Sequence, residues 1–211
     1  MTNKSLNKVS IRLESGGHDF SPSALNAALE RVASSKGDGT SKSGGVMNGA
    51  DVEFVIHTHK TALVPAEYFD SENPRLELSA VRIAPASDEV VVCSGVVRDT
   101  VAVMAMNCAC YDHISKTYGT RASFLSPLQE GEPMDRGVAI ALYADVLYVR
   151  VYDGGMRFAE AMEVATDADV LYYLDSINRV YDIYNMYARA AGDTQRLQKI
   201  CRRMFKTIET L

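Results

Sequence analysis

Three β-rich runs, 137–143, 146–152 and 156–164, follow one another with only two or three residues between them. Connections that short admit only antiparallel neighbours, because a parallel crossover needs about a dozen residues or more. The second connection opens on Asp153-Gly154, a strong hairpin signal, since glycine accepts the positive φ that a tight turn requires. After this meander the period changes. Thr166 is placed to cap a helix whose Leu171, Leu174, Ile177 and Tyr181 fall on one face. A short strand is expected at 184–190, followed by a turn at Gly192-Asp193. Leu197, Ile200, Cys201, Met204, Phe205 and Ile208 then form one apolar stripe of a last helix. Tight-turned strands followed by helix–strand alternation predict an α/β domain, a mixed sheet with helices packed on it.

The first half reads in a similar order. A strand is expected at 9–14, a turn at Ser15-Gly16-Gly17, and a short hairpin closed by Phe20. Ser21-Pro22 starts a helix running to about residue 35, with Leu25, Ala28, Leu29, Val32 and Ala33 on one face. Residues 36–50 are Gly- and Ser-rich and predict a flexible loop. Lys42-Ser43 does not make it a phosphate loop, because Ser41 stands where that motif needs glycine. Strands are expected at 52–57 and 61–64, one helical turn at 65–69 and a loop at 71–74. Two β-rich runs follow, 89–97 and 101–106. Asn107 can cap a helix to about Tyr118, with Gly119 just past its end. After a strand at 120–125, Pro127, Gly131 and Pro133 mark a boundary. The expected organisation is an N-terminal unit 1–126, a linker 127–136 and a C-terminal unit 137–211.

Composition limits the function classes. The 211 residues are 47% apolar and 23% charged, which excludes disorder for most of the chain. Net charge is −5, against a dedicated nucleic-acid binder. The N-terminus is polar, no apolar run approaches the length of a membrane span, and four cysteines lie within apolar segments. A reduced, cytoplasmic setting is expected.

Metal and nucleophile patterns are poor. His57 and His59 would share a strand face, but a turn is expected there and no third ligand is near in sequence. Cys108 and Cys110 lie about 200° apart around a helix and cannot chelate together, even with His113 nearby. Charge is uneven near the end. Residues 160–182 hold six acids and one base, whereas 189–206 hold six bases and one acid. The two segments either face each other or present a basic helix to an acidic partner or RNA. Eight of the eleven tyrosines lie in the second half, where half-buried strand packing or an exposed interface accounts for them.

Several stretches together resemble an uncharacterised bacterial family, a domain of unknown function with an actin-like ATPase fold. They are Val9-Ser10-Ile11-Arg12-Leu13, Thr58 to Glu67, Phe124-Leu125-Ser126-Pro127-Leu128, Leu147-Tyr148-Val149 with the Asp153-Gly154 turn, Tyr172-Tyr173-Leu174 and Ala191-Gly192-Asp193. The resemblance implies two ribonuclease-H-like subdomains facing a cleft, here small and degenerate. Its more distant relatives would be actin-like proteins of cell division and pilus assembly. It also implies where ATP and Mg²⁺ would sit. Glu14, Gly16 and Gly17 fall on the first phosphate hairpin, Asp145 on the second, and Gly192 and Asp193 on the adenosine loop. The acid is Glu where the family has Asp, the second hairpin lacks glycine, and the adenosine loop has one glycine rather than two. These departures point to a non-catalytic interaction or assembly module, with a protein partner or a homo-oligomer. The competing reading is a nucleotide binder or weak ATPase using those six residues. A minor one is RNA association through the basic C-terminal helix.

Overall fold

A computed structural model describes residues 51–210 in full and the backbone of 7–12. The turn, helix and loop expected between 13 and 50 lie outside the described residues, as do Glu14, Gly16 and Gly17.

The meander forms as expected. Strands β7 (Arg136–Tyr143), β8 (Val146–Asp153) and β9 (Met156–Glu163) pair antiparallel in sequence order. Helix α3 (Asp167–Tyr181) is capped by Thr166, whose side chain accepts from the Asp169 backbone N–H. Its buried face is Val170, Leu174 and Ile177, while Leu171 is exposed. The expected strand at 184–190 splits. Ile183–Asn185 is a 3₁₀ turn, and β10 runs Tyr187–Gly192. The last helix is the larger correction. Helix α4 (Thr194–Cys201) stops after two turns, and β11 (Thr207–Thr210) takes up the chain, parallel to β10. The stripe misled because Phe205 and Ile208 do reach the same core, Phe205 from a turn and Ile208 from an inward strand position. The completed sheet has the order β11-β10-β7-β8-β9.

One face of that sheet carries Val138, Ile140, Leu142, Leu147, Val149 and Val151 against α3 and α4. Each such side chain contributes about 1.5–3 kcal/mol by leaving water. The other face carries small residues, Ala139, Ala141 and Ala191, with Tyr143 and Tyr148.

In the first half, β1 (Asn7–Arg12), β2 (Val52–His57) and β6 (Ala122–Leu125) form a parallel sheet in that order. The order matches β7-β10-β11, which is also parallel, so the two halves share a three-strand core. Between β2 and β6 stands an antiparallel sheet of β3 (Thr61–Pro65), β4 (Glu89–Cys93) and β5 (Thr100–Asn107), ordered β3-β5-β4. Met104 and Met106 face β2 and helix α2 (Cys108–Tyr118), while Val101, Val103 and Ala105 face Leu78. Burial on both faces explains why 101–106 is continuously apolar rather than alternating. Leu78 belongs to α1 (Pro74–Ala80), which starts at the end of the loop expected at 71–74, in a stretch for which no element is expected; Pro74 at its first turn is the available signal. The helical turn expected at 65–69 is a reverse turn closed by the Tyr68 N–H on the Pro65 carbonyl at 3.0 Å. Asn107 ends β5 and caps α2, accepting from the Ala109 and Cys110 backbone N–H groups.

Candidate functional site

The residues implied by resemblance divide into two groups. Glu14, Gly16 and Gly17 are outside the described residues. Asp145, Gly192 and Asp193 are brought together at one end of the five-stranded sheet. Gly192 pairs with Leu142 at the end of β7, and the Asp193 N–H donates to the Leu142 carbonyl at 2.8 Å. Ala144-Asp145 is the two-residue turn between β7 and β8. Ala144 takes a φ of 57°, the positive value that such a hairpin turn needs at its first position. The Asp145 carbonyl accepts from the Val164 N–H at 2.7 Å, fixing the entry to α3. Arg196 of α4 ties the cluster: its guanidinium donates to Asp167 at 2.6 Å and to the Ala144 carbonyl at 3.4 Å. The acidic and basic segments therefore do face each other at this point.

These contacts give the three residues structural work. Gly192 has a φ of +74°, and a Cβ built there would lie 2.1 Å from the Leu142 carbonyl oxygen. The space that a side chain would need at this position is filled by the backbone of the neighbouring strand. The Asp193 N–H is engaged, and its carboxylate caps α4 by accepting from the Arg196 N–H at 3.0 Å. At the implied adenosine loop, the Gly192 and Asp193 groups are thus taken up by strand pairing and helix capping.

One wall of the expected cleft, at residues 14–17, lies outside the described residues; among those described, the halves meet through side chains. The Tyr148 hydroxyl donates to the Thr58 carbonyl at 3.2 Å, and burial pushes its pKa well above the tyrosine range. The His57 ring stands edge-on to Tyr143 with centroids 4.3 Å apart, and Tyr148 completes the trio. Leu63 of β3 and Leu128 pack on Val146, Tyr148 and Ala161. The first residues of the expected linker are part of this junction. Pro127–Gln129 is a buried 3₁₀ turn capped by Ser126. The Gln129 side-chain amide donates to Ser94 at 3.0 Å and to the Thr100 carbonyl at 3.2 Å. Arg98 returns a bond to the Gln129 carbonyl at 3.0 Å. A cavity of about 50 Å³ remains between Glu130, Gly131 and the small-residue face of the sheet. Sequence reading missed this junction, because partners such as Thr58 and Tyr148 are 90 residues apart.

The other candidates resolve as packing. His57 is buried in the junction, and His59 lies 4.0 Å from Glu163. Among the described residues no three His, Cys, Asp or Glu side chains converge to hold a metal. Cys108 is exposed and Cys110 buried, with its thiol pushed up to about 12 by desolvation. Of the tyrosines, Tyr148 and Tyr152 are buried, whereas Tyr172 and Tyr187 are exposed. No described helix is long and apolar enough to cross a membrane.

The paired parallel triplets and the meander define a mixed α/β protein, and the chain adopts the actin-like ATPase fold. A crystal structure from Bacteroides thetaiotaomicron VPI-5482, described as a protein with actin-like ATPase fold and unknown function, superposes with a TM-score of 0.66. That similarity covers 100% of this chain and 94% of the other at 15% identity. The cytoplasmic domain of EpsL from Vibrio cholerae, an inner membrane component of the type II secretion system, gives a TM-score of 0.42. It covers 93% and 95% of the two chains, also at 15% identity. The sequence matches no protein-family profile and no curated protein.

Proposed function

We propose that this chain is a non-catalytic interaction or assembly module in the bacterial cytoplasm, using two ribonuclease-H-like subdomains as a rigid block. The observation that supports this reading is the packed junction between the halves, where, among the described residues, Tyr143, Tyr148, His57, Leu63 and Leu128 gather with no open cleft between them. The separate core on the α3 and α4 side of the second sheet supports the division into two subdomains. Four free cysteines support a reducing compartment. Its partners on this reading are proteins, either another chain or a second copy.

A nucleotide-binding reading draws support from the convergence of Asp145, Gly192 and Asp193 on one turn cluster. Calorimetric titration of the full chain with Mg–ATP separates the two. The assembly reading expects no saturable heat. Saturable binding in the micromolar range that disappears in Asp145→Asn overturns it.

A further inference from the structure

The two edges of the five-stranded sheet are treated differently. At one edge, β9 lies against β3 and buries Ala159 and Ala161 near Leu63. At the other, β11 pairs with β10 on one side and with no strand among the described residues on the other. Exposed edges are usually guarded by short strands, charged side chains, proline or bulges. The edge β11, Thr207-Ile208-Glu209-Thr210, is short and carries one charge, Glu209, and it has no lysine or proline.

A groove of about 610 Å³ runs between this edge and α4. Phe205 and Ile208 supply the smaller, apolar part of its lining, and the polar part includes Lys199, Arg202 and Lys206 with no acid. All three cations are exposed. On the far side of the strand, Arg189 is already paired with Glu209 at 3.5 Å. Lys206 rests over the Tyr187 ring at 5.1 Å, so the cations left to the α4 side of the groove are Lys199 and Arg202.

We infer that β11 and this groove form a docking edge for an extended acidic peptide segment of a protein partner. The peptide would add as a sixth strand and point alternate carboxylates at Lys199 and Arg202. Backbone pairing supplies register-tolerant affinity in such additions, and alternate side chains supply specificity. The end of the helix at Cys201 favours this over RNA. Lys199 lies on α4 and Arg202 just past its end, beside a strand edge, which suits an extended backbone that sends alternate acids to the α4 side. The inference deepens the assembly reading and rests on it.

The test is fluorescence anisotropy on the full chain with a labelled peptide of about ten residues alternating Glu and Val. Expected are saturable binding and a loss of roughly tenfold or more in affinity in Lys199→Glu/Arg202→Glu, at sites whose exposure leaves the fold intact. Expected too is weakening as salt shortens the screening length from about 10 to 3 Å. The same peptide N-methylated at every backbone nitrogen should not bind, because neither of its edges can then donate to β11. Equal binding of a Lys–Val peptide, or of the N-methylated peptide, overturns the proposal. So does tighter binding of a uridine oligonucleotide than of the Glu–Val peptide. Absence of peptide binding, in a sample that also gives no heat with Mg–ATP, removes this surface and leaves the assembly reading standing. Saturable Mg–ATP binding instead removes that reading.

Discussion

Gly192→Ala is expected to be among the most damaging single substitutions in the chain, and its size can be worked out from two contributions. At φ +74° an L side chain costs about 1–2 kcal/mol in the left-handed region. The added Cβ, 2.1 Å from the Leu142 oxygen, must also push β10 away from β7. That breaks the Asp193 N–H bond to Leu142 and the last rung of the ladder, at about 1–3 kcal/mol. Together the loss is about 2–5 kcal/mol, against a total of about 5–15 for an ordinary domain. In urea, with a slope near 2–3 kcal/mol per molar, the midpoint should fall by roughly 1–2 M. Gly154→Ala is the control: its φ is +64°, but nothing lies within 4 Å of the built Cβ. It should lose only about 1–2 kcal/mol, the conformational part. If Gly192→Ala loses no more than Gly154→Ala, the close approach of the two strands does not explain the glycine. A role in ligand contact would then regain ground.

Tyr148→Phe should cost only about 1 kcal/mol, read from chemical denaturation, because Thr58 keeps a second donor: the Thr61 hydroxyl at 2.9 Å. A loss above about 3 kcal/mol would mean that the hydroxyl does more than this bond. Alkaline stability should fall from about pH 8.5, where an unfolded thiol ionises. The buried Cys110 and Cys201 thiols are pushed up to about 12. Groups raised in this way stabilise fully below the unfolded value and lose that contribution as pH climbs toward about 12. Each contributes a slope near 1.4 kcal/mol per pH unit, so Cys110→Ala should flatten the curve by one proton's worth. With a thiol reagent at neutral pH, the exposed Cys108 should react at once. Buried Cys110 and Cys201 should react only at the rate of opening, as followed by mass spectrometry.

Local chemistry was legible in the sequence where the signal was itself local. The meander, the Thr166 and Asn107 caps and the turn at Gly192 all rest on residues a few positions apart, and they stand where expected. The apolar stripe from Leu197 to Ile208 shows the opposite case. Helical spacing cannot distinguish one helix from a helix, a turn and a strand that return to the same core, although Thr207, Ile208 and Thr210 favour extended backbone. Leu171 was placed on the wrong side of α3 because the buried face starts one residue earlier, at Val170. The junction was invisible for a different reason. His57, Leu63, Leu128 and Tyr148 carry no pattern in common, and only the packing of three sheets brings them together.

Leu63 is shared by two cores, one within the first half and one between the halves. The consequence is mechanical. A hinge would have to strip Tyr148 from Thr58 and bare Leu63, Leu128 and Val146 each time it opened. Exposing even roughly 200 Å² of apolar surface costs about 5 kcal/mol, which holds the open form to about one molecule in several thousand. The two halves should therefore yield to heat in one cooperative transition, with calorimetric and van't Hoff enthalpies that agree.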